Sequence, residues 1–185
     1  FCREHDAEFL YLRLLDRRYR VSRKRGTIEW EDESSWRPAG FLDAMTIYDL
    51  LCCAKDGAAL SGRYAQAEHL PGTMHGANPA KGAFDDFAAR CDEDPEKLKK
   101  ACLALGGIEL PMGELSFQVP LFDFLPVMVQ FWSSDDEFPA VFKLMWDENV
   151  LQFLRFETVC YAARFLVNRL QALMGLTVEE AEGHM

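Results

Sequence analysis

Three groups of residues in this chain are of types that do chemistry. The first is acidic. Asp135-Asp136-Glu137 and Asp147-Glu148 bracket an apolar run, Phe138 to Trp146, with Trp132 and Trp146 beside them. Paired carboxylates hold divalent cations when several oxygens converge on one point, or exchange protons with a substrate. An extended run of this length separates the two clusters by up to ~30 Å. They therefore read as caps on opposite ends of one strand, not as halves of one centre. Asp135, Asp136 and Glu137 diverge on a strand, but two of them can converge in a turn. A turn at the first cluster and a helix start at the second account for both. A cation or polar ligand at one cluster is the alternative, although no D-x-D-x-D-G loop is present.

The second group is His69 and His75, six apart in H-L-P-G-T-M-H, with Glu68, Asn78 and Lys81 nearby. Neither H-x-x-x-H nor H-E-x-x-H occurs. The ordinary expectation is exposed loop histidines; the sharper one is metal binding or proton transfer, which requires the fold to bring them to Asp135. The third group is basic. Residues 13–25 hold Arg13, Arg17, Arg18, Arg20, Arg23, Lys24 and Arg25 against Asp16 alone, a net +6 in a chain of net charge -10. This is either a solvated hairpin or a docking patch for an acidic partner or phosphorylated ligand, with Arg18, Arg20 and Arg25 as its contacts.

Other chemistry finds little support. Gly72, Gly76 and Gly82 form neither a phosphate loop nor a dinucleotide fingerprint. Ser133-Ser134 lacks a nucleophile-elbow setting. The six cysteines, Cys2, Cys52, Cys53, Cys91, Cys102 and Cys160, form no C-x-x-C and no zinc or ferredoxin spacing. They read as buried reduced thiols in a reducing compartment. The overall acidity argues against a general nucleic-acid binder.

The elements that must position these residues follow from periodicity. Phe9–Leu15 alternates Leu10, Leu12 and Leu14 against Phe9, Tyr11 and Arg13, which is a strand. Turns at Asp16-Arg17-Arg18 and Lys24-Arg25-Gly26 then give strands over Tyr19–Arg23 and Thr27–Glu31, an antiparallel meander. Phe41–Ala54 is a helix whose core stripe reads Phe41, Ala44, Met45, Tyr48, Leu51 and Cys52. Residues 56–83 are Gly/Pro-rich and irregular, the kind of long loop that carries function. A short helix over Phe84–Cys91 is followed by one that Asp94 caps and Pro95 begins, ending at Gly106-Gly107. Strands follow at Leu115–Phe122, interrupted at Pro120, then Val127–Trp132 and Phe138–Trp146. Asp147-Glu148-Asn149 should cap the start of the final helix. From Phe156 the stripe Val159, Cys160, Ala163, Leu166, Val167, Leu170, Leu173 and Met174 holds helical spacing until Gly175.

The expected architecture is α+β: an N-terminal antiparallel meander and a C-terminal antiparallel hairpin packed with several helices, including a long C-terminal one. Residues 1–177 should form a single domain and 178–185 a flexible tail. No apolar run is long enough to span a bilayer, and F-C-R-E-H-D lacks the pattern of a signal peptide. A soluble cytoplasmic protein is expected. The chain begins at Phe1, so a trimmed native N-terminus is also expected.

Several segments together resemble a known family. V-Q-F-W-S-S-D-D-E-F-P-A-V-F-K-L-M-W-D-E-N, then F-E-T-V-C-Y-A-A-R-F-L-V-N-R-L, is similar to the C-terminal half of domain-of-unknown-function family 3786. Y-D-L-L-C-C-A, L-S-G-R-Y, H-L-P-G, and L-G-G before F-Q-V-P-L-F match its middle in order. The resemblance runs from about Phe9 to Leu170. It implies an α+β domain found largely in anaerobic bacteria and archaea, some relatives being fused to an iron–sulfur cluster domain. This chain lacks the cysteine motif for a cluster, so an iron–sulfur protein would be a partner. The signature positions are Trp132, Asp136, Glu137, Phe138, Pro139, Asp147 and Asn149, and the resemblance assigns them no catalytic role.

The function expected is that of a non-catalytic binding or accessory domain, docking a partner protein or small anionic cofactor. The alternative is a metal-assisted or carboxylate acid–base enzyme using Asp135, Asp136 and Glu137 with His69 and His75. The expected ligand-binding residues are His69, His75, Trp132, Asp135, Asp136 and Glu137, although a tryptophan at a strand end is more often core or rim packing.

Overall fold

The computed structural model describes residues 4–71 and 84–176. The expected tail, 178–185, lies outside these residues, as do His75 and Cys2. Among the described residues the fold is α+β, with two five-stranded antiparallel sheets and four α-helices.

The first sheet is the meander, with strands in sequence order: β1 (Glu4–His5), β2 (Phe9–Leu14), β3 (Arg17–Ser22), β4 (Ile28–Asp32) and β5 (Ser35–Pro38). Alternation puts Leu14, Tyr19, Val21 and Ile28 into the core. The β2–β3 turn is Leu15-Asp16, not Asp16-Arg17-Arg18, because Leu14 pairs directly with Arg17. Leu15 adopts a left-handed φ of 53°, uncommon for a leucine. Burial of its side chain and donation of its N–H to the Leu121 carbonyl at 2.8 Å hold it there. Gly26, at φ 71°, makes the next turn as its type predicts. The segment around Arg37 forms the edge strand β5.

Helix α1 (Phe41–Cys53) follows, but it buries a different face from the predicted one. Asp43, Thr46, Ile47, Asp49 and Leu50 are buried, while Phe41 is 64% exposed and Cys52 is exposed. Polar side chains on the inward face disguised it. Each has a partner: Tyr19 for Asp43, the Leu42 carbonyl for Thr46, the Arg155 N–H for Asp49.

The second sheet has the order β6-β10-β9-β8-β7: β6 (Tyr64–Ala65), β7 (Ile108–Glu109), β8 (Leu115–Phe122), β9 (Leu125–Trp132) and β10 (Val141–Asp147). The expected hairpin is thus the centre of a larger sheet. Pro120 does not interrupt β8. It lies opposite Pro126, and a register irregularity before Phe122 absorbs the missing N–H. Strand β10 starts at Val141 instead of Phe138, since the preceding residues are held in a turn. Helices α2 (Asp85–Glu93), α3 (Pro95–Ala104) and α4 (Phe156–Leu173) complete the core, which contains Phe87, Leu98, Phe117, Phe131, Trp146 and Leu166. Asp94 stands at the α3 N-cap, but its side chain does not cap. Gly107 is required where it sits: a Cβ there would lie 2.6 Å from the Cys102 carbonyl oxygen.

Candidate functional site

The outward face of the meander carries Phe9, Tyr11 and Trp36. Across it, β3 lays two of the predicted docking arginines. The Arg20 guanidinium lies 4.5 Å from the ring centroids of both Phe9 and Trp36, and that of Arg18 4.8 Å from Tyr11. Arg20 also pairs with Glu29 at 2.8 Å. Arg18 pairs with Glu4 at 2.5 Å and approaches Glu31 at 3.6 Å. These two side chains are cross-strand ties of the sheet, and their charge is largely matched.

The rest of the basic segment differs. Arg23 donates to the Asp6 carbonyl at 2.9 Å. Lys24 and Arg25 are exposed and form no ion pair among the described residues. The β3–β4 turn that holds them has a cleft on each side. One, of about 840 Å³, is lined by Glu8, Phe9, Ser22, Arg23, Lys24 and Arg25. The other, of about 330 Å³, lies between the turn and α1, and is lined by Arg25, Thr27, Glu29, Pro38, Ala44 and Tyr48. Arg25 lines both. The Tyr48 hydroxyl donates to the Gly26 carbonyl and fixes the turn to the helix.

The acidic loop between β9 and β10 is built as a turn. Asp135 Oδ1 accepts the N–H groups of Glu137 and Phe138 at 2.8 and 2.7 Å, and Asp135 N–H donates to the Phe138 carbonyl. Ser133 donates both its N–H and its hydroxyl to Glu114, and Ser134 does the same to Asp92. Those two donations hold the Asp92 carboxyl below the ordinary carboxylate range. Asp136 and Glu137 are exposed. Trp132 is half-buried, with Lys143 Nζ 5.3 Å from its ring and Gly113 against the indole. His69 is exposed, at the end of a short 3₁₀ turn (Ala67–His69) after β6. It makes no hydrogen bond or ion pair with the acidic loop, and no group of three or more His, Cys, Asp or Glu among the described residues is placed to hold a metal ion.

The second acidic cluster lies at the other end of β10, ~20 Å along the strand. Asp147 is wholly buried there and does not cap a helix. Its Oδ1 accepts the Ser61 N–H, the Ser61 hydroxyl and the Asn149 N–H at 2.9, 3.0 and 2.8 Å; its Oδ2 accepts the Gly62 N–H at 2.8 Å. Burial pushes this carboxyl upward, but the amides of Ser61, Asn149 and Gly62 outweigh it and the net shift is downward. Glu148 pairs with Arg63 at 2.6 Å, and Asn149 donates to the Ala59 carbonyl. Thus L-S-G-R-Y and W-D-E-N, 85 positions apart, close on each other.

A family model described as Domain of unknown function (DUF3786) matches residues 2–169. The chain belongs to the DUF3786 family. No curated protein and no solved structure matches it. The match takes in both sheets, the basic turn, the acidic loop and most of α4.

One further feature of this DUF3786 domain escaped sequence reasoning. Tyr19, wholly buried, donates to Asp43 at 2.8 Å across the interface of β3 and α1. Burial pushes the Asp43 carboxyl up, opposed by that hydrogen bond, and pushes the Tyr19 hydroxyl up as well. Alternation placed Tyr19 on the apolar face, but no local signal pointed to its partner 24 residues away. The described cysteines are free; Cys91 and Cys102 are buried as expected, and burial pushes their thiols up to about 12, whereas Cys52 is exposed.

Proposed function

We propose that this DUF3786 domain is a non-catalytic binding domain that docks an anionic partner at the Arg23–Arg25 turn. One observation carries the reading. The arginines that look like a docking patch in sequence divide into two sets: Arg18 and Arg20 are matched by glutamates, whereas Lys24 and Arg25 stand exposed beside two clefts. Cations free of internal partners at the mouth of a cleft raise the local concentration of an anion and supply its charge-assisted hydrogen bonds. The reading favours binding over catalysis because Asp135, the first carboxylate of the acidic loop, is spent on the N–H groups of Glu137 and Phe138.

The test is fluorescence anisotropy with a labelled decaglutamate peptide. Saturable binding that weakens with salt is expected, together with a loss of about 10-fold in Lys24→Glu/Arg25→Glu. Equal binding by wild type and variant, or none at low salt, overturns the reading.

A further inference from the structure

The outward face of α1 carries an apolar seam that the fold leaves open. Phe41, Met45, Tyr48 and Cys52 recur at spacings of four, three and four, the spacing of a coiled-coil contact line. They extend over ~16 Å of helix. Phe41 is 64% exposed and Tyr48 38%; Met45 is half-buried and Cys52 exposed. At one end the Phe41 ring meets Tyr161 of α4 edge-on, with centroids 5.3 Å apart, so the anchor is stiff. Towards the other end Tyr48 forms a wall of the 330 Å³ cleft that Arg25 also lines, and its hydroxyl is tied to Gly26. Lys55 is exposed just beyond the end of the helix. The seam and the basic turn are therefore contiguous through Tyr48.

We infer that the seam and the turn form one docking surface for an acidic amphipathic helix of a partner protein. The inference rests on the anionic-partner reading above and narrows it. A 4-3-4 line of apolar side chains on a helix is complementary to the same line on another helix, whose knobs enter the gaps between Phe41, Met45, Tyr48 and Cys52. Arg25 decides the partner's charge: it lines the cleft beside Tyr48, next to the seam, and acidic residues flanking the partner's apolar line complete the pairing with it. A helix with glutamates flanking its apolar line meets both requirements.

Cys52 supplies a reporter, since it lies on the seam while Cys91 and Cys102 are buried. The probe is a labelled three-heptad peptide with leucine at the contact positions and glutamate at the flanking ones. The control has the same composition in an order that breaks the heptad. Each is titrated against the full chain by anisotropy, and the rate of iodoacetamide alkylation at Cys52 is followed by peptide mapping. The heptad peptide should bind about 10-fold more tightly than its control and slow Cys52 alkylation. Phe41→Ser and Met45→Glu should each remove that advantage and leave binding of the control peptide unchanged. Phe41 is well exposed, so its variant folds even if Met45→Glu does not.

Equal binding of both peptides with Cys52 still reactive overturns the helical partner and leaves the anionic reading standing. Binding of neither peptide overturns both. A dimer of the free protein with Cys52 protected also overturns the inference, because the seam is then covered by a second copy.

Discussion

Asp147→Ala removes the acceptor on which the 59–63 segment closes. Three donors lose their partner, the N–H groups of Ser61, Gly62 and Asn149, while the Ser61 hydroxyl keeps the Arg63 carbonyl as an acceptor. A buried donor left unsatisfied costs about 1–3 kcal/mol. Gly62 is exposed and Ser61 half-buried, so water reaches part of the gap and each value falls at the low end. The sum is a loss of about 3–4 kcal/mol. Asp147→Asn keeps the Oδ1 acceptor and loses chiefly the Gly62 bond, for about 1–2 kcal/mol. Urea denaturation followed by tryptophan fluorescence suits the measurement, because Trp146 adjoins the site and is buried. The pH dependence adds a second check. The folded carboxyl titrates below its unfolded value, so its stabilisation is present above about pH 4 and fades as pH falls through the folded value. The gap between wild type and Asp147→Ala should narrow in that acid range. A cost under 1 kcal/mol for alanine, or equal costs for alanine and asparagine, would refute the reasoning.

Other outcomes follow from the same geometry. Leu166→Ala should cost about 2–5 kcal/mol in denaturation experiments, since Leu166 is wholly buried on α4. Arg18→Glu/Arg20→Glu should lower the melting temperature, because it sets glutamates against Glu4, Glu29 and Glu31 and uncovers three rings; an unchanged temperature would show the ties to be idle. Asp43 titrates above its unfolded value, so its contribution is full below about pH 4 and is lost as pH rises through the folded value. Asp43→Asn should therefore gain more stability, relative to wild type, at pH 7 than at pH 4, and the reverse order would sink this account of the Tyr19–Asp43 pair. In alkylation mapped by mass spectrometry, Cys52 should react well before Cys91 and Cys102.

The meander and the final helix were legible because they rest on local pattern: alternating leucines at Leu10, Leu12 and Leu14, an apolar stripe at Leu166 and Leu170, and Gly26 and Gly175 at positive φ. The buried face of α1 was not, because Asp43 and Asp49 reach partners on β3 and at the start of α4 that no helical periodicity encodes. Asp147 followed by Glu148 and Asn149 looks like a helix start, and local rules allow it; a long-range contact with Ser61 and Gly62 overrides them. The basic segment was visible as charge. Which of its cations are matched depended on strand register, which sets Glu29 opposite Arg20 and Glu4 opposite Tyr11. Of the three arginines expected to act together, Arg18 and Arg20 are paired with glutamates across the sheet, and Arg25 forms no ion pair among the described residues.

The central claim is that the Arg23–Arg25 turn, and not the acidic loop, receives the partner. A residue-resolved amide NMR titration of the full chain with the glutamate heptad peptide addresses it directly. Shift changes concentrated at Arg23–Gly26 and Ala44–Tyr48, and lost at high salt, are the predicted result. Changes centred on His69 and Ser133–Phe138, or none anywhere, would contradict it.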